Sequence, residues 1–159
     1  MLEPDDDLQL NFTKEGIMFE DTRYADKALG LLRIVAALLF LLHGTSKLFG
    51  FPPFAMGALP EVGTMLWIGA VLELVGGALL LAGLLSRFVA FILSGEMAVA
   101  YWMFHAPNST FPSENGGEPA ILFCFIFLYI AAAGPGAWSL DGTRTKRVRH
   151  HHAESPDAG

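Results

Sequence analysis

The residues with the clearest chemical potential are ionisable side chains set within long apolar stretches: Arg33, His43, Lys47, Glu73 and Glu96. A charged group near the centre of a bilayer is costly, by roughly 2.5–3.5 kcal/mol on insertion scales, and usually faces a bundle interior or a cavity. It needs a counter-charge, a proton or water. The set therefore predicts a proton-accessible polar site inside a membrane protein.

The spacing of these residues predicts that they converge. Glu73 and Glu96 each fall near the middle of an apolar run about long enough to cross a bilayer, which takes ~20 residues. His43 and Lys47 are four residues apart and share one face of a helix. Arg33 lies within about 40° of Lys47 around a 3.6-residue helix and joins that face. We expect a polar track between the helices, displaced towards one membrane surface.

Candidate roles follow from residue chemistry and depth. We predict Glu96 and His43 as catalytic groups, because a carboxyl group and an imidazole can move protons. Arg33 is expected to form a structural ion pair with Glu73 or Glu96, and no metal site is expected. The alternative is that the whole polar set is structural and fixes helix register. The candidate binding residues are Lys47, Glu73, Tyr101, His105, Asn115 and Glu118.

The composition is that of a membrane protein, with 53% hydrophobic and only 16% charged residues. It predicts an all-α fold, a polytopic antiparallel bundle of four transmembrane helices. The domain boundaries are an acidic leader at 1–27, a membrane domain at 28–142, and a basic, His-containing tail at 143–159. No role is assigned to the leader or to His150–His152 in that tail. The predicted spans are 28–49, 62–84, 87–106 and 118–133.

The basic residues predict the orientation of the bundle. The loops that join spans one to two and three to four contain no Lys or Arg, whereas the leader, the turn at Arg87 and the tail do. Because basic residues concentrate on the cytoplasmic side, both termini are expected there. We expect a multi-pass protein of the plasma membrane, the inner membrane of a prokaryote. One cysteine, Cys124, excludes an intrachain disulfide and a C-x-x-C redox motif.

Five short motifs occur in order between about Leu29 and Gly142. They are the segment His43-Gly44-x-x-Lys47-Leu48-Phe49-Gly50-Phe51, the segment Glu73-x-x-Gly76-Gly77, the segment Gly95-Glu96-Met97-x-x-Ala100-Tyr101, the segment Asn115-Gly116-Gly117-Glu118, and the segment Gly134-Pro135-Gly136-x-Trp138-Ser139-Leu140-Asp141. With this order and spacing the chain resembles the DoxX family of small four-helix membrane proteins.

The resemblance implies several activities. Some proteins of this family are subunits of thiosulfate:quinone oxidoreductases, others are linked to resistance to quinones and catechols, and others act with superoxide dismutase and a sulfurtransferase under oxidative and thiol stress. The motif residues are family signatures, and the resemblance gives none of them a catalytic role.

Three hypotheses follow. The leading one is a membrane subunit of a redox system that binds a quinone or a similar small hydrophobic redox molecule, with no intrinsic cofactor. The second is a non-catalytic anchor or assembly subunit for an oxidoreductase or stress-response complex. The third is a small proton-coupled transporter. The expected partners are the lipid bilayer and either a redox partner subunit or a second copy of the chain; no nucleic-acid partner is expected.

Overall fold

The computed structural model describes residues 6–53 and 59–143, and every regular element in these ranges is a helix. The helices are α1 (Asp6–Phe49), α2 (Met65–Ala82), α3 (Ser86–Ala100), α4 (Pro112–Asn115) and α5 (Glu118–Ala133). A single π-helical turn, Tyr101–His105, continues α3. The all-α prediction holds for the described residues. The basic part of the tail with His150–His152, and residues 54–58 of the loop between the first two predicted spans, lie outside them.

Helix α1 extends well beyond the first predicted span. It runs without a break through 44 residues, and its apolar, membrane-length part is Tyr24–Phe49. The residues from Asp6 to Arg23, which the sequence suggested as a polar leader, continue the same helix. No proline or glycine pair interrupts the helical pattern before residue 49, so nothing forces the backbone to break between leader and span.

Three described helices are long and apolar enough to cross a membrane: Tyr24–Phe49, Met65–Ala82 and Ser86–His105. The fourth, α5, has 16 apolar residues. At ~1.5 Å per residue it is about 24 Å long, shorter than a hydrocarbon core of ~30 Å. Three of the four predicted spans thus have helices of membrane-crossing length, and α5 is a shorter apolar helix.

The helices pack as two pairs. Helix α1 lies mainly against α2 and α3 mainly against α5, while α2 and α3 contact each other less extensively. Glycine allows the close approach of α1 and α2, because a Cβ on Gly44 would lie only 2.6 Å from the backbone nitrogen of Leu74. A Cβ on Gly76 would lie 2.7 Å from a Leu93 methyl group. Gly76 thus allows α2 and α3 to pack closely.

Arg33 organises one end of this bundle, which we call the Arg33 end. Its side chain is fully buried and donates hydrogen bonds to five backbone carbonyl oxygens, those of Leu80, Leu81, Pro135, Ala137 and Trp138. The guanidinium thus links the end of α2 to the segment after α5 by hydrogen bonds to backbone carbonyl groups. The expected pairing of Arg33 with Glu73 or Glu96 is replaced by these contacts, because unpaired carbonyls at helix ends attract a cation.

Two further charged residues form hydrogen bonds with unpaired backbone groups at helix termini in this part of the bundle. Arg87 donates to the carbonyl oxygens of the last three residues of α5. The Asp141 carboxylate accepts hydrogen bonds from the backbone N–H groups of Leu85 and Ser86, at 3.0 and 2.9 Å, where α3 begins. Burial raises the pKa of Asp141, but these hydrogen bonds and the charge of Arg33 outweigh it and hold the pKa below its usual value.

Candidate functional site

A cavity of about 460 Å³ lies between α2 and α3, away from the Arg33 end. It is formed by the first half of α2, the second half of α3 and the π-helical turn, and α1 contributes Lys47. Most of the lining is apolar, and three carboxyl or amine groups and one imidazole interrupt it. The volume lies in the range of small-molecule sites, which is ~300–1,000 Å³. We call this space the Glu73–Glu96 cavity.

Glu73 and Lys47 form an ion pair in the cavity wall. The Lys47 Nζ donates to Glu73 Oε1 at 2.5 Å, and the Glu73 side chain is only 3% exposed. The two groups come from neighbouring helices, α1 and α2, whose close packing at Gly44 brings them within reach. The second carboxylate oxygen, Glu73 Oε2, is buried and has no hydrogen-bond partner. One oxygen of this carboxylate therefore lacks a hydrogen-bond donor.

Glu96 lines the cavity from α3. Its Oε2 is also buried without a hydrogen-bond partner. The glycine at position 69 of α2 leaves space for the carboxyl group, since a Cβ there would lie 3.1 Å from Glu96 Oε1. Gly69 thus faces the carboxyl group of Glu96. Two carboxyl groups and one amine thus share a mostly apolar cavity.

The π-helical turn brings His105 into the cavity wall. In this turn the backbone takes one more residue per turn than an α-helix would, which changes the direction of the side chains that follow. His105 Nδ1 lies 3.0 Å from the carbonyl oxygen of Asn115. Because a carbonyl oxygen only accepts, Nδ1 carries a hydrogen, and in the neutral ring Nε2 is an acceptor.

The other predicted site residues lie outside the cavity lining. The exposed His43 ring packs edge-on against Phe40 and against Phe123 of α5. Asn115 reaches the site only through its carbonyl contact with His105. Glu118 is exposed at the start of α5, and Tyr101 packs against Trp102. The structure therefore places Lys47, Glu73, Glu96 and His105 in the cavity lining. His43, Tyr101, Asn115 and Glu118 lie outside that lining.

The cavity opens sideways along the seam between α2 and α3. Ile68 and Ile92, which line it, are 44% and 38% exposed, and Val99 and Phe104 are also exposed. Gly95 lies in this seam, and a Cβ built on it would contact nothing within 4 Å. For helices that cross a membrane, such an opening faces lipid. Sequence reasoning missed this seam, although a glycine next to an intramembrane carboxylate was a usable signal.

A larger and more open depression of about 1,040 Å³ lies at the Arg33 end, bordered by Arg87, Trp138 and Asp141. Its charged side chains already hold helix ends together through backbone hydrogen bonds. In the Glu73–Glu96 cavity, by contrast, two buried carboxyl oxygens have no partner. We therefore regard the Glu73–Glu96 cavity as the candidate functional site despite its smaller volume.

Comparison with known proteins agrees with the motif pattern. A sequence model of the DoxX family matches residues 28–106. An uncharacterised protein of Haemophilus influenzae is 45% identical over 129 residues, which cover 79% of this chain and 96% of that protein. The inner membrane protein YqjF of Escherichia coli is 30% identical over 117 residues, which cover 72% of this chain and 90% of that protein. No solved structure matches significantly. The chain belongs to the DoxX family.

Proposed function

We propose that this DoxX protein is a membrane subunit of a redox system and binds a quinone or a similar small hydrophobic redox molecule in the Glu73–Glu96 cavity. The observation that carries the proposal is a mostly apolar cavity in which two carboxyl groups each have one buried oxygen without a partner. Buried polar groups normally have partners, so unpaired ones in a cavity point to a polar ligand group that would complete them.

The seam between α2 and α3 supports a ligand that arrives through the lipid. Gly95 leaves a gap in the wall, and the flanking side chains Ile68 and Val99 are apolar and exposed. A molecule dissolved in the bilayer could pass between the helices without crossing the polar loops. This access favours a membrane-soluble ring compound over a charged, water-soluble substrate.

In this proposal the residues have distinct roles. Glu96, which has no ion-pair partner among the described residues, exchanges a proton with the ligand. Lys47 and Glu73 hold the polar end of the ligand, and His105 connects the cavity with the loop that carries Asn115. The chain supplies binding and proton transfer, and electrons pass between the bound molecule and a partner subunit.

We also propose that α5 completes a four-span bundle. The segment that follows α5 meets Arg33 and the end of α2 at one membrane surface, and the loop that precedes α5 meets His105 at the other. Helix α5 therefore extends between the same two levels as α3. With the basic residues on one side, both termini are cytoplasmic in an inner membrane.

The experiment compares quinone bound to the purified protein and to Glu96→Gln, both extracted from the membrane with a copolymer that keeps native lipid. Gln conserves size and hydrogen bonding but cannot exchange a proton. We expect retained quinone to fall about tenfold or more, which corresponds to ~1.4 kcal/mol. Glu118→Gln, an exposed carboxylate outside the cavity, is the matched control and should retain quinone. Full retention in Glu96→Gln, or no quinone above the lipid background in the unaltered protein, would contradict the proposal.

A second candidate function is a non-catalytic anchor that docks a redox enzyme. The observation that favours it is the continuation of α1 beyond the membrane-length segment Tyr24–Phe49 as far as Asp6, which offers a further length of helix for docking. A protein that retains no quinone yet co-purifies an oxidoreductase would favour this alternative.

A further inference from the structure

Glu73 presents a hydrogen-bond acceptor to the cavity, because its ion pair with Lys47 favours the ionised carboxylate. Its Oε1 accepts from the Lys47 ammonium group at 2.5 Å, which stabilises the ionised carboxylate. The residue is 2% exposed, and its Oε2 is buried without a partner in the wall of the Glu73–Glu96 cavity. A carboxylate oxygen accepts hydrogen bonds and cannot donate them.

The cavity wall offers this oxygen few donors of its own. Most of the lining residues end in carbon or sulfur atoms, as Met65, Leu72 and Met97 do. The Lys47 amine already bonds to the other oxygen of Glu73, and the Nδ1 hydrogen of His105 points to the Asn115 carbonyl. A buried acceptor without a donor destabilises the protein, and more so when it is charged. A bound molecule that carries a donor would recover this free energy.

Glu96 provides a second unpartnered carboxyl oxygen, with a hydrogen-bonding capacity that differs from that of Glu73. Its unpartnered Oε2 accepts a hydrogen bond when the carboxyl group is ionised and donates one when it is protonated. The polar end of a ligand therefore meets one obligate acceptor, Glu73, and one group that adapts, Glu96. The apolar side chains of Ile68, Ile92 and Phe104 surround the remainder of the ligand.

We propose that the Glu73–Glu96 cavity selects the reduced, hydroxyl-bearing form of its redox ligand over the oxidised form. This inference rests on the proposed function. The oxidised form of a quinone presents carbonyl oxygens, which are acceptors and are repelled by the Glu73 carboxylate. The reduced form presents hydroxyl groups, one of which donates to Glu73 Oε2. Binding that is tighter for the reduced form makes the bound molecule easier to reduce than the same molecule in lipid.

The test uses three molecules that share one tetramethyl-substituted ring: a para-benzoquinone, the corresponding hydroquinone, and the dimethyl ether of that hydroquinone. The four ring methyl groups prevent addition to Cys124. Binding to the full chain in lipid nanodiscs is measured by equilibrium dialysis without oxygen. We expect the hydroquinone to bind at least about tenfold more tightly than the other two, a difference of ~1.4 kcal/mol.

A variant assigns the selectivity to Glu73. In Glu73→Gln the amide can present either an N–H group or a carbonyl oxygen, so the difference between hydroquinone and quinone should fall to about threefold or less, ~0.7 kcal/mol. Glu118→Gln should keep the full difference. If the quinone or the ether binds as tightly as the hydroquinone, the selectivity is refuted and the proposed function stands. If none of the three molecules binds, the proposed function itself fails. Unchanged selectivity in Glu73→Gln would refute the role of Glu73, and the unaltered protein decides the first two outcomes even if the variant does not fold.

Discussion

Replacing Arg33 with Met removes the donor of five hydrogen bonds to backbone carbonyl groups at the Arg33 end. Gly83 still donates to the Leu80 carbonyl, so that group keeps a partner. Each buried carbonyl left without a donor costs about 1–3 kcal/mol. If two of the five remain buried and unpaired, the variant loses roughly 2–6 kcal/mol of the free energy of unfolding.

The same variant distinguishes two roles for Arg33. If Arg33 neutralised Glu96, the double variant Arg33→Met/Glu96→Gln would recover the stability that either single change loses. The structure predicts no such recovery, because Arg33 lies near the level of Ser86, and Glu96 is ten residues further along α3, about 15 Å away. Distant sites without shared partners are additive within about 0.5 kcal/mol.

The assay is reversible unfolding in mixed micelles, followed by tryptophan fluorescence, for both single variants and the double variant. Arg87→Met is the matched control: Arg87 donates to three carbonyl groups of α5, but its side chain is exposed, so water can replace it. We expect this control to lose less stability than Arg33→Met. A double variant that is more stable than Arg33→Met would refute the assignment of Arg33 to the backbone carbonyls.

Two further predictions concern the seam and the Arg33 end. Gly95→Leu should fill the gap between α2 and α3 and slow quinone exchange about tenfold, as measured by rapid mixing in nanodiscs. The control Ala78→Leu, on the exposed face of α2, should leave the exchange rate unchanged. Equal exchange rates in the two variants would contradict lateral entry. Asp141 has a lower pKa in the folded chain than its ordinary value, so its stabilising contribution is present at neutral pH and is lost as the pH falls through the folded pKa. The thermal midpoint of the unaltered protein should therefore fall more steeply with acidification than that of Asp141→Asn, and parallel curves would refute this contribution.

The sequence predicted the helices well because long apolar runs identify them directly. The predicted span 118–133 has the same bounds as α5, and the third predicted span agrees with Ser86–His105 to within one residue at each end. The extent of α1 was not predicted, since polar residues are compatible with both a helix and an irregular leader. Helix α5 has 16 residues and is shorter than a typical membrane span, so its membrane crossing belongs to the proposed four-span bundle.

Depth along the helices predicted part of the site. Lys47, Glu73, Glu96 and His105 do line one cavity. His43 does not, although it shares a helix face with Lys47, because the long amine side chain reaches Glu73 while the shorter imidazole packs against Phe123. Helical spacing predicts the direction of the Cα–Cβ bond, but it does not predict which groups the end of the side chain contacts.

The contacts of Arg33 and the π-helical turn could not be read from the sequence. Backbone carbonyl groups occur at every residue, so no pattern identifies those that will accept from a given arginine. The turn at Tyr101–His105 depends on packing between helices, and its residues have no distinctive propensity. These two features explain why the partner of Arg33 was misassigned and why the orientation of His105 was unknown.

The contacts of Arg33 also set the order in which the protein can be completed. The guanidinium belongs to the first membrane helix, yet three of its five acceptors lie 102 to 105 residues later in the chain. At ~5–20 residues per second, a ribosome needs roughly 5–20 s to synthesise that interval. During this time the first helix carries an arginine without these three acceptors. Synthesis of the segment around Pro135 and Trp138 then closes the bundle, so that a chain terminated earlier would leave Arg33 without three of its five acceptors.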